Sequence, residues 1–166
     1  MAKRYSILKN CSIFYRLTQM HYAIQLRPYG LGAGQQSFLS QIATHPGISM
    51  AEMAEQGAYD NGTITRAVRK LENGGYIRIE PDKRDRRAKR LFPTEKGLAM
   101  IEPIQQMRHS WFLATTKGFT DEEKDQIDAL LQRLASNARE YFSEEQESAI
   151  LPEEQETDAQ GTEDWL

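Results

Sequence analysis

The stretch from Asp60 to Gly97, DNGTITRAVRKLENGGYIRIEPDKRDRRAKRLFPTEKG, constrains this chain more than any other. Asp60 is a good N-cap, and Ile64, Ala67, Val68 and Leu71 follow at the spacing of one helix face. The pattern predicts a helix over 61–73, which Gly74-Gly75 stops. Tyr76-Ile77-Arg78-Ile79 then alternates like a strand, and Arg90-Leu91-Phe92 is its return strand. At about 100° per residue, Gly62, Arg66, Arg69 and Asn73 point away from the apolar face, with Thr65 and Lys70 beside them. The outline is a helix with a basic face next to a basic hairpin, the plan of a winged helix.

The total charge hides this. The formal net charge is -3, but nine acidic residues and no Lys or Arg lie from Ser143 onward. Residues 1–142 therefore carry 21 basic against 15 acidic side chains, and residues 60–97 alone carry 11 against 6. Lys83, Arg84, Arg86 and Arg87 crowd the hairpin tip beyond what Asp82 and Asp85 can neutralise. Local charge sets an electrostatic footprint, and this one suits a phosphate backbone or a minor groove. Arg66 and Arg69 have the donor geometry to read guanine, while Asn61, Thr63, Thr65 and Lys70 suit bases or phosphates. Double-stranded DNA is the expected partner.

Around this stretch the chain reads as mainly α. A long helix is predicted over 5–27, with Ile13, Leu17, Met20 and Ile24 on one stripe and Ile7, Cys11 and Phe14 on a second. So wide an apolar face exceeds what one small core needs, and a second subunit is a natural cover. Pro28 and Gly30 end that helix; a second follows Gly32-Ala33-Gly34 and closes at His45-Pro46-Gly47. Ser49 with Glu52 is a capping-box pattern for a short third helix, and Thr120 with Glu123 is another for the last. Thr94 should cap a helix running to about Lys117 and bent at Pro103. The last helix should carry Ile127, Leu130, Leu131, Leu134, Ala138 and Tyr141. The fold class is mainly α with a small β-hairpin wing. Its expected parts are a first helix (1–30), the winged helix-turn-helix lobe (31–97), C-terminal helices (98–142) and a mobile acidic tail (143–166).

Several function classes are excluded. No apolar run approaches a membrane span, and MAKRYSILKN lacks the apolar core of a signal peptide. One Cys cannot form an intramolecular disulfide, which fits a cytoplasmic protein. No nucleophile–base pair, phosphate loop or cofactor motif has recognisable spacing, so an enzyme is not expected. No two of His21, His45 and His109 stand at i, i+3 or i+4, so no metal site is expected.

HPGISMAEMAE, DNGTITRAVRKLENGGYI and PDKRDRRAKRLFPTEKG, in that order, make residues 5–142 resemble the MarR family of bacterial and archaeal transcription regulators. The resemblance implies a homodimer built from the first and last helices. Each subunit would place the 61–73 helix in a major groove and the 82–89 wing in the adjacent minor groove. Arg87 best matches the groove-inserted position, with Arg86 beside it, and Asp85 matches the acidic residue that braces the wing. Such regulators typically repress nearby genes and release DNA on sensing a phenolic or lipophilic ligand, an oxidant or a metal. The chain departs from the family at Gly57-Ala58-Tyr59, where Leu-Gly and a branched apolar residue are usual. It departs again at Gly32-Ala33-Gly34, which gives the second helix a weaker cap.

The resemblance points to further candidates, each with a plainer reading. Arg16, His21, Tyr22, Met107 and Trp111 interrupt apolar stripes and could line an effector pocket, with Arg16 as the cation, or could be ordinary dimer core. Cys11 could sense oxidants, but a lone Cys on an apolar stripe reads better as a small hydrophobe. The acidic tail reads as a solubilising extension or as a competitor of DNA for the wing. The basic face could instead dock an acidic protein.

Overall fold

The computed structural model describes residues 6–57, 59–83, 85 and 88–150. The chain divides into two units, Met1–Gly118 and Phe119–Leu166. The first contains α1 (Ser6–Leu26), a 3-10 turn (Arg27–Tyr29), α2 (Gln35–Thr44), α3 (Met50–Gly57), α4 (Asn61–Asn73), β1 (Ile77–Pro81), β2 (Lys89–Pro93), α5 (Glu95–Ala99) and α6 (Ile101–Thr115). The second contains α7 (Asp121–Ile150).

The capping signals in the sequence are made as hydrogen bonds. The Ser49 N–H donates to Glu52 Oε2 (2.7 Å) and the Glu52 N–H to Ser49 Oγ (3.2 Å), starting α3. The Thr63 N–H donates to Asp60 Oδ1 (2.8 Å), starting α4. Gly34 gives α2 no side-chain cap; instead Gln35 Oε1 reaches back to the Gly32 N–H at 2.6 Å.

The core of the lobe is built where α2, α3, α4 and the hairpin meet. Leu39, Ile42, Met53, Ile64, Leu71 and Leu91 are fully buried there. The four apolar positions predicted for α4 are all buried, so the opposite face is turned outward. β1 and β2 pair antiparallel, with Ile79 opposite Leu91. A bridge between Ile48 and Leu91 adds a third short edge, which the sequence did not reveal because His45-Pro46-Gly47 read as a simple turn. Tyr59 packs against Phe38 with ring centroids 4.8 Å apart, just before α4.

Thr94-Glu95-Lys96-Gly97 does more than begin a helix. Thr94 Oγ1 accepts from the Gly97 N–H (3.1 Å) and donates to the Gly75 carbonyl (2.7 Å). Lys96 Nζ donates to the Gly74 carbonyl (2.7 Å) and lies 4.3 Å above the Tyr76 ring. Gly97 is buried against the Tyr76 carbonyl, where a Cβ would overlap the oxygen. The motif clasps α5 onto the Gly-Gly turn that ends α4, where Gly75 takes a positive φ of 72°.

Two boundaries differ from expectation. The helix after Thr94 is not one helix bent at Pro103; it breaks at Met100 into α5 and α6. A proline ring clashes with the carbonyl four residues back, here Ala99, and Pro103 is tolerated because it falls in the first turn of α6. The last helix does not stop near Tyr141 but continues to Ile150. Ser143–Ile150 is rich in Glu, which favours helix despite its charge, and Pro152 is the first proline after Pro103. The rest of the acidic tail, 151–166, lies outside the described residues.

Two long apolar faces stay uncovered in the single chain. On α1, Ile13, Leu17, Met20 and Ile24 are 37% to 67% exposed, and Leu26 is the buried residue of that helix. On α7, Ile127, Leu131, Leu134 and Tyr141 follow a +4, +3, +7 stripe and are 41% to 63% exposed. No described helix is long and apolar enough to cross a membrane.

Candidate nucleic-acid interface

The site is built on α4 and the hairpin. Asp60 fixes the N-terminus of α4 twice, through the Thr63 N–H and through Thr63 Oγ1, which donates to Asp60 Oδ2 at 2.6 Å. Arg66 Nη2 in turn donates to Thr63 Oγ1 at 3.2 Å. The Asp60 carboxyl is held below the usual carboxylate range, first by the Thr63 hydroxyl and amide and then by the Arg66 charge. A Cβ at Gly62 would sit 3.0 Å from Asp60 Oδ1, so glycine keeps that carboxylate free of crowding.

This network orders the N-terminal end of the helix. Arg66, Arg69 and Lys70 are exposed, as is Asn61, whose carbonyl accepts the Thr65 hydroxyl at 2.7 Å. The structure therefore brings Asn61, Arg66, Arg69 and Lys70 to one outward surface. Thr63 and Thr65 are half-buried and engaged within the helix, Thr63 as part of the cap. The sequence did not reveal that Thr63 links Asp60 to Arg66.

The hairpin is tied at its base to the start of α3. Arg90, on β2, donates through Nε to Asp82 Oδ2 (2.6 Å), and through Nη1 to Glu52 Oε2 (3.1 Å) and the Gly47 carbonyl (3.2 Å). One guanidinium thus joins the start of the wing, the turn before α3 and the capping box of α3. Arg90 was legible only as part of the return strand, because its three partners come from separate parts of the chain. Asp85 contributes its N–H to Asp82 Oδ1 (3.1 Å) and its carbonyl to the Ala88 N–H (2.9 Å). Arg84, Arg86 and Arg87 lie outside the described residues.

The Glu52 carboxyl is also held below the usual glutamate range, first by its hydrogen bonds with Ser49 and then by Arg90. A carboxylate whose folded pKa is depressed stabilises the fold above its unfolded pKa, and that contribution disappears as pH falls through the folded value. The caps of α3 and α4 should therefore weaken on the acid side of the ordinary carboxylate range. In an acid titration followed by circular dichroism, a Glu52→Gln/Asp60→Asn protein should begin less stable at neutral pH and lose less on acidification. Parallel curves for the two proteins would contradict this assignment.

The effector candidates separate spatially. His21 stacks on Trp111 with centroids 4.6 Å apart, and Trp111 Nε1 donates to Thr18 Oγ1 at 2.9 Å. Tyr22 is half-buried beside His21, and burial raises its hydroxyl pKa while Arg108 opposes the rise. Met107 is in the core. Arg16 lies on the exposed side of α1 and donates to Ser12 Oγ at 2.8 Å. The cation beside this cluster is Arg108, whose Nε donates to Gln36 Oε1 at 2.8 Å. Its place one residue after Met107 and three before Trp111 was the available sequence signal. Cys11 is half-buried on α1.

A helix-turn-helix core, a capped helix with an outward basic face and a hairpin anchored beside it define the winged helix-turn-helix class of DNA-binding proteins. The MarR family matches residues 31–89 of this chain. The uncharacterized HTH-type transcriptional regulator YybA of Bacillus subtilis (strain 168) is 36% identical over 132 residues, spanning 79% of this chain and 87% of the relative. A MarR transcriptional regulator from Methanosarcina mazei Go1 superposes with a TM-score of 0.76 at 30% identity, over 81% of this chain and 97% of that one. A MarR family regulator from Listeria monocytogenes, crystallised with a 26mer DNA, gives a TM-score of 0.74 at 27% identity over 78% and 87% of the two chains. The chain belongs to the MarR family of winged helix-turn-helix transcriptional regulators. It is a DNA-binding transcription regulator.

Proposed function

We propose that this protein is a homodimeric, ligand-responsive repressor that acts on a pseudo-palindromic operator in the cytoplasm and catalyses no reaction. The observation that carries the reading is the exposed Arg66–Arg69 face of α4, held by the Asp60 cap next to a hairpin anchored by Arg90. Arg66 and Arg69 read base edges, with Asn61, Thr63, Thr65 and Lys70 on bases or phosphates. Arg84, Arg86 and Arg87 enter the minor groove, braced by Asp85. That the Listeria relative was crystallised with DNA supports duplex DNA as the partner.

The dimer reading rests on the uncovered apolar faces of α1 and α7, since such contiguous patches mark association surfaces. In a dimer the two α4 helices must sit one turn of DNA apart, roughly 34–36 Å. A small aromatic or lipophilic effector near His21, Tyr22 and Trp111, with Met107 in the core against which Tyr22 packs and Arg16 or Arg108 as cation, releases DNA by changing that spacing.

Two measurements test the proposal. Sedimentation of the full chain should give a dimer, and a Leu17→Glu/Leu134→Glu protein, with a charge in each apolar face, should sediment as a single subunit and bind duplex DNA at least tenfold more weakly. A monomeric parent protein, or a variant that remains dimeric, overturns the assembly assigned here.

A further inference from the structure

A cleft of about 600 Å³ lies between the end of α1, the turn before α2 and the C-terminal end of α4. Arg27, Lys70 and Asn73 line it, with Gly30, Gly32 and Gly74 forming low walls. Arg27, Lys70 and Asn73 are all exposed, and among the described residues neither cation is in an ion pair. The lining includes no carboxylate, and Ala23 and Leu31 are its wholly apolar side chains apart from the glycines.

These features select a ligand chemistry. Two cations without an ion-pair partner among the described residues, in a lining with no carboxylate, favour an oxyanion. Small aromatic effectors take pockets in which aromatic side chains stack on the ligand, and no aromatic side chain lines this cleft. Lys70 and Asn73 also belong to the outward side of α4, so the cleft opens at the edge of the surface assigned to DNA. Arg27 comes from the end of the first helix and was not among the residues that the sequence pointed to.

We propose that the cleft seats a phosphate of the DNA backbone, held by Arg27 and Lys70, and so extends the contact beyond the recognition helix. The inference rests on the DNA-binding reading above. It gives Arg27 a part in affinity and none in sequence choice, because a phosphate carries no base information.

The test is duplex-DNA binding by the full-length protein across a salt series, comparing the parent with Arg27→Gln and Arg27→Lys. Each lost phosphate contact should make the slope of log affinity against log salt shallower by about 0.9. Arg27→Gln should therefore flatten the slope by about one per subunit, equally on unrelated sequences, and Arg27→Lys should keep most of it. The Arg27 side chain is exposed and is in no ion pair with a described residue, so melting temperatures of all three should agree. An unchanged slope for Arg27→Gln overturns the inference while leaving the DNA-binding reading intact. A parent that binds no DNA at low salt defeats that reading itself. If inorganic phosphate raises the melting temperature of the parent but not of Arg27→Gln, with equal DNA slopes, the cleft serves a free anion and the DNA assignment is overturned.

Discussion

Replacing Gly97 by alanine should destabilise the lobe by about 3 kcal/mol, lowering the melting temperature on the order of 10 °C. The added Cβ would overlap the Tyr76 carbonyl oxygen and lie 3.3 Å from Leu39 Cδ1. The obstructing atom is backbone, so no rotamer change relieves the clash. That carbonyl also accepts the Thr94 N–H at 3.0 Å. Lifting α5 to make room would break this bond and stretch the Thr94 and Lys96 bonds to Gly75 and Gly74. Gly34→Ala is the control. Nothing lies within 4 Å of its added Cβ, and its φ of -72° is open to any residue, so its effect should be within about 0.5 kcal/mol. Thermal unfolding followed by circular dichroism decides the matter, and equal melting temperatures for the two variants would show that the clasp does not hold the lobe together.

The largest expected effect on function is that of Arg66→Ala/Arg69→Ala. Each arginine that reads a guanine is worth roughly 1–3 kcal/mol, and a dimer loses each contact twice. Binding to a selected operator should fall at least a hundredfold, with weaker discrimination between sequences. Stability should change little, because both side chains are exposed and Arg69 has no hydrogen bond or ion pair with another described residue. Arg66 does touch Thr63 at 3.2 Å, so part of its effect is lost order at the N-terminus of α4. Arg69→Ala alone separates the two contributions, since it leaves the Asp60–Thr63–Arg66 chain in place.

What the sequence showed and what it concealed divide by range. The α4 face was legible because cap, apolar spacing and Gly-Gly stop all lie within a few residues of one another. The capping boxes at Ser49 and Thr120 were legible for the same reason. Arg90 was not legible as an anchor, because Asp82, Glu52 and Gly47 meet it only after the chain has folded. The Thr94–Gly97 clasp was likewise visible only as a motif, its partners lying some twenty residues upstream. Arg27 was read as a helix end, and its neighbourhood with Lys70 is a product of tertiary packing. Pro103 drew attention to itself, yet the break falls at Met100, because a proline disturbs the turn before it more than its own position.

The most direct test of the central claim is the affinity of the full-length protein for duplex DNA between low and physiological salt, measured beside the Arg66→Ala/Arg69→Ala variant. A steep linear fall of log affinity with log salt is expected for the parent, as counterions are released from the contacted phosphates. The variant should bind far more weakly at every salt concentration while melting at nearly the same temperature. No binding by the parent at low salt, or equal binding by parent and variant, would contradict the assignment of α4 as the recognition helix.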